Sequence, residues 1–123
     1  MLKEVGPYFF APQYMGLYEK VFSYSGMNVA MLDHFVTETY PTYDLRDQLQ
    51  NITAPTLIIA GSHDWLTPPS GARLTHSKIS GSVYREFAES GHLTFAEKPI
   101  TFFDTVKEFV ESQPKKVINV CTN

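Results

Sequence analysis

The chain has 123 residues, the length of one domain, and 43% of them are hydrophobic, enough to form a core. Its net charge of −3, with no basic run beyond Lys115-Lys116, excludes the electrostatic footprint of a DNA- or RNA-binding protein and of an anionic-membrane binder.

Cys121 is the single cysteine, so an internal disulfide and a thiolate metal cluster are both excluded. The segment Met1 to Pro7 has no apolar h-region of a secretory signal. No stretch approaches the ~20 apolar residues of a membrane span. These features read together as a soluble, cytoplasmic protein.

Residues 1–11 are aromatic but aperiodic. Pro12 is suited to open a helix, with Tyr14, Leu17, Tyr18, Val21 and Phe22 on one face, and Ser25-Gly26 breaks it. Asn28 is a candidate cap for a second helix whose apolar face is Val29, Leu32, Phe35 and Val36 and which Pro41 stops. Residues 42–55 read as a hinge, with one short helical turn at Asp44-Leu45-Arg46-Asp47. After Pro55, the run Thr56-Leu57-Ile58-Ile59-Ala60 has no polar alternation, as in a parallel strand covered on both faces. Gly61 ends it. Thr67 and Pro68 supply an N-cap and first turn for a helix through Ile79, which Ser80-Gly81 terminates. Val83 to Phe87 is a second strand, more polar and nearer an edge. Pro99 opens a last helix with Phe102, Phe103, Val106, Phe109 and Val110 on one face. The order strand, helix, strand, helix predicts an α/β fold built on a right-handed βαβ unit.

Two loops in this plan carry chemistry. Ligands of α/β sheets meet the loops at the carboxyl ends of strands. Asp64 lies just past the first strand and His92 just past the second, so both loops open at one edge. Adjacent parallel strands lie about 4.8 Å apart, which lets the two side chains meet. A carboxylate on a histidine fixes its tautomer and stabilises the imidazolium formed when the ring takes a proton. Spacing alone leaves the alternative that Asp64 caps a turn and His92 is an ordinary polar loop residue. Of the other histidines, His63 neighbours the acid, His76 reads as a surface position on its helix, and His34 lies between Asp33 and Phe35 in a helix. A metal site of His63, Asp64 and His92 is the less favoured use of these groups.

The wider pattern narrows the choice. Ile52 to Pro68, with Gly61-Ser62-His63-Asp64 at its centre, closely resembles the triad-acid segment of α/β-hydrolases. Phe87 to Pro99, with Ser90-Gly91-His92, resembles their triad-histidine segment. The helix ending Lys107-Glu108-Phe109-Val110 is similar to their C-terminal helix. Residues 8–43 resemble, less specifically, the end of a helical cap of the proline iminopeptidase type. The resemblance implies a partial α/β-hydrolase fold: the last two parallel strands with flanking helices, preceded by a cap remnant over 1–43, with the core segment at 44–123. It implies Asp64 as triad acid, His92 as triad base, Trp65 as a pocket residue, and Glu97 and Pro99 as structural residues of the loop and helix start. Some aminopeptidase members carry an acidic residue for the substrate amine where this sequence has Trp65. The implied substrate of a full-length relative is a small molecule or short peptide, with no metal and no cofactor.

One departure is large. A nucleophile elbow has the form G-x-S-x-G. Ser25, Ser80 and Ser90 do not have glycines two residues to either side. By resemblance, the first five or six strands of an eight-stranded sheet, with the nucleophile and the oxyanion hole, lie outside this sequence. Two functions follow: the C-terminal part of a serine-type acyl hydrolase, or a non-catalytic remnant that acts by binding. In either case the first strand has one edge without a neighbour, a route to self-association.

Overall fold

A computed structural model describes residues 28–114 together with the isolated positions 11, 13, 16 and 20. The helix expected after Pro12 and the tail from residue 115 lie outside the described residues.

Asn28 caps the first described helix, α1 (Val29–His34), its Oδ1 accepting from the Met31 N–H at 3.1 Å. The helical path continues past His34 as a π turn, Phe35–Thr39, and a 3₁₀ turn, Tyr40–Thr42. Pro41 therefore sits inside the last turn rather than ahead of it. The expected apolar face is exposed at Val29, Leu32, Phe35 and Val36.

The hinge is more irregular than expected. Its helical turn falls at Leu49–Asn51, not at 44–47. Asp44 explains the shift: its carboxylate accepts from the Arg46 N–H at 3.0 Å and from the Arg46 guanidinium, closing a side-chain turn that competes with helix. Those bonds to Arg46 hold the Asp44 carboxyl at about 2.

The sheet follows. Strand β1 (Leu57–Gly61) pairs in parallel with β2 (Val83–Phe87), in the register Leu57 to Val83 through Gly61 to Phe87. Between them runs α2 (Pro69–Lys78). Pro68, not Thr67, occupies its cap position, because the Thr67 side chain is engaged elsewhere. Gly81 turns the chain into β2 with φ of 73°, a left-handed value natural to glycine. After β2 come a one-turn helix, α3 (Thr94–Glu97), and α4 (Pro99–Ser112). The sequence pattern gave no sign of α3, since four residues cannot show a helical period.

Phe102 of α4 meets Phe87 of β2 at 6.4 Å and Phe95 at 6.2 Å between ring centroids. Phe103 and Val110, expected on the same stripe, are exposed. The buried apolar residues are Ala60, Ile79, Phe87 and Leu93, and the buried polar ones are Asp64, Ser90, Thr94 and Glu97. Most of the latter sit beyond the strand ends, so the best-packed part of the described chain is the pair of loops there. β1 is less covered than its apolar sequence implies. Leu57, Ile58 and Ile59 are only half-buried. Among the described residues the sheet has two strands, and β1 has a neighbour on one side only.

Candidate active site

Both loops leave the sheet at its carboxyl edge and are bonded to each other before any functional side chain is considered. The Ser62 N–H donates to the Phe87 carbonyl at 2.9 Å, and the His63 N–H donates to the Ser90 carbonyl at 2.9 Å. This close approach requires glycine at 61. A Cβ there would fall within 2.5 Å of the Ser90 carbonyl oxygen and closer still to that of Gly91.

Asp64 is 6% exposed. A carboxylate at that depth needs donors, and its own loop supplies three of four. Oδ1 accepts from the Leu66 and Thr67 N–H groups at 3.0 and 2.9 Å. Oδ2 accepts from the Thr67 hydroxyl at 2.6 Å. The fourth donor comes from the other loop: His92 Nδ1 lies 2.9 Å from Asp64 Oδ2. Thr67 Oγ1 is also 3.3 Å from that nitrogen. Burial pushes the Asp64 carboxyl up, but the Thr67 hydroxyl and amide and the His92 ring outweigh it, and the net displacement is downward.

The bond to Asp64 assigns the proton of His92 to Nδ1, which leaves Nε2 as the basic nitrogen of the neutral ring. His92 is about a third exposed. The pair thus has a buried carboxylate behind and a solvent-accessible imidazole in front, an arrangement that can move a proton at Nε2.

The remaining sequence candidates are placed as follows. Trp65 is exposed, on the residue next to the acid. His63 turns to its neighbour, with Nδ1 2.8 Å from Ser62 Oγ. Among the described residues no three His, Cys, Asp or Glu side chains are grouped as metal ligands would be. His76 is half-buried rather than on the surface, stacked on Tyr84 at 5.7 Å with Nδ1 2.8 Å from Ser82 Oγ. Thr67, expected only as a helix cap, belongs to the site as a donor to the acid. An Asp followed three residues later by Thr ahead of a helix is a local side-chain-to-backbone motif that marks this in the sequence.

The profile of the alpha/beta hydrolase fold family matches residues 2–99. The chain belongs to the α/β-hydrolase family. This hydrolase segment is 36% identical over 73 residues to a proline iminopeptidase of Saccharolobus solfataricus, covering 59% of this chain and 23% of that protein. It superposes on an alpha/beta fold family hydrolase from Bacillus anthracis with a TM-score of 0.77 at 25% identity, covering 87% of this chain and 38% of that one. An esterase from Exiguobacterium antarcticum matches with a TM-score of 0.73 at 30% identity, over 90% of this chain and 42% of that one. The segment therefore spans about a quarter of the curated relative and about two-fifths of the solved hydrolases. No helix among its described residues is long and apolar enough to cross a membrane.

Proposed function

We propose that this segment carries the acid and the base of a serine-type acyl hydrolase acting on an ester or on an N-terminal prolyl amide. The observation that carries the reading is the 2.9 Å bond between His92 Nδ1 and Asp64 Oδ2 at the ends of two adjacent parallel strands. In this reading His92 Nε2 accepts the proton of the attacking serine and returns it to the leaving group. Asp64 fixes the ring and stabilises its charged form. The likeness to a proline iminopeptidase and to an esterase supports this substrate range. In this reading Trp65, exposed beside the acid, lines the substrate pocket. The nucleophile comes from a G-x-S-x-G segment that this sequence does not contain.

The test has two parts. The chain alone is expected to leave prolyl arylamides and activated esters intact and to resist fluorophosphonate labelling. Loss of a nucleophile costs on the order of a million-fold in turnover in serine proteases. A chimaera in which residues of this chain replace the matched segment of the Saccharolobus enzyme is expected to hydrolyse the arylamide and to lose that activity with His92→Ala. A folded chimaera that is inactive, or one indifferent to His92→Ala, would refute the reading.

A further inference from the structure

We propose that Glu97 is the positioning residue of His92, and that its carboxylate, rather than the Asp64 bond alone, holds the ring in register with the acid. This rests on the acid-base reading of the pair. His92 is borne by a loop, and the two residues before it decide where it points. Ser90 is fully buried and Gly91 is buried. Both donate to a single oxygen, Glu97 Oε2: the Ser90 hydroxyl at 3.0 Å and the Gly91 N–H at 2.5 Å. Glu97 is itself 4% exposed. On its other side the same peptide is bonded to the acid loop, the Ser90 carbonyl accepting from the His63 N–H at 2.9 Å. The Gly91 carbonyl accepts from the Thr94 hydroxyl at 3.3 Å.

The arrangement forms a continuous link. Glu97 grips Ser90-Gly91, Ser90 grips His63, and the residues that follow Gly91 and His63 are His92 and Asp64. A buried carboxylate is a costly way to fill space, and an apolar residue would pack there with less penalty. What an apolar residue cannot do is gather two buried donors onto one point. Removing the acceptor leaves both unsatisfied, and the loop relaxes to find others. The role predicts a loss of His92 geometry in a chain that is still folded.

The measurement is the ¹⁵N spectrum of His92 in the full chain, at a pH where the ring is neutral, with amide dispersion as the check of folding. The wild-type ring is expected in the Nδ1–H form. Asp64→Ala supplies the reference for an uncoupled ring, with a mixture of tautomers. Glu97→Ala is expected to move the signal most of the way to that reference. Glu97→Gln, which keeps an acceptor oxygen in place, is expected to restore the wild-type signature. If Glu97→Ala does not fold, Ser90→Ala, which deletes one donor and keeps the acceptor, carries the comparison and is expected to give a partial shift. A wild-type tautomer in folded Glu97→Ala, or in Ser90→Ala where the former is unfolded, overturns the proposal. An Asp64→Ala ring identical to wild type would instead overturn the acid-base pairing itself, so the two failures are distinct.

Discussion

The hydroxyl of Thr67 lies 2.6 Å from Oδ2 of Asp64, the same oxygen that faces the His92 ring. Asp64 is therefore held by three donors of its own loop as well as by the histidine.

That relationship predicts an acid response. The folded Asp64 carboxyl lies below its ordinary value, so the folded chain binds its proton less readily than the unfolded chain. The stabilisation is fully present above the ordinary Asp value of about 3.9 and is lost as pH falls through the lower folded value. Thr67→Val removes one donor. It should lower stability at neutral pH by about 1.5–3 kcal/mol, the range for hydrogen bonds to charged groups. It should also move the acid transition to higher pH. Fluorescence of Trp65, the single tryptophan, reports on the adjacent residue during the titration. An acid transition unchanged by the substitution would contradict this account.

The closeness of the two loops predicts a contrast between glycines. Gly61→Ala forces a methyl group against the Gly91 and Ser90 carbonyls, and backbone there cannot yield cheaply. A loss at or above the upper end of the about 1–3 kcal/mol typical of overpacking is expected. Gly71, inside α2, has open space where a Cβ would go. Gly71→Ala should gain up to about 1 kcal/mol through helix propensity. Denaturant melts of both variants check the pair.

Glu89 opens the base loop with φ of 52°, a left-handed conformation that costs a side-chain-bearing residue about 1–2 kcal/mol. Its N–H is held by Ser62 Oγ at 3.1 Å, and its carboxylate lies 3.7 Å from Lys98 Nζ. Glu89→Gly and Glu89→Ala lose the ion pair equally. The glycine variant should exceed the alanine variant by about 1 kcal/mol, the size of the relieved strain. Equal melting curves would argue against it.

The side of β1 that has no neighbour among the described residues predicts association. Thr56 accepts from Val83 and Ser62 donates to Phe87, so the even-numbered backbone groups of this stretch face β2. In a parallel ladder the backbone groups of Leu57, Ile59 and Gly61 then point away from β2. Such an edge templates pairing with another chain. Light scattering across a concentration series should show oligomers that Ile59→Lys reduces. A monomer at every concentration, with one sharp unfolding transition, would show that the edge is already covered.

Much of this was legible in the residues themselves, and the reasons differ by region. β1 and β2 were legible because an unbroken apolar run between Pro55 and Gly61, and a second run after Gly81, admit few other structures. Strand ends and chain order allow Asp64 and His92 to meet, and the resemblance to the two triad segments favours that over a turn cap and an ordinary loop histidine. The helical turn at 49–51 was not legible, because Asp44 and Arg46 compete locally in a way that propensity does not weigh. Thr67 fits a helix cap and a carboxylate donor equally well in sequence, because the two share one pattern. Glu97 was legible as structural but not as a clamp, since the donors it gathers, Ser90 and Gly91, become its neighbours only after α3 folds back. The short reach of each of these effects, a few residues, is what pattern reading over longer windows averages away.

Asp64 and His92 stand 28 residues apart, with a single crossover between them. The bonds described between the two loops all lie within residues 61–97. The two loops and the bonds between them are therefore a compact unit of the sequence, one that can be moved or replaced as a single segment.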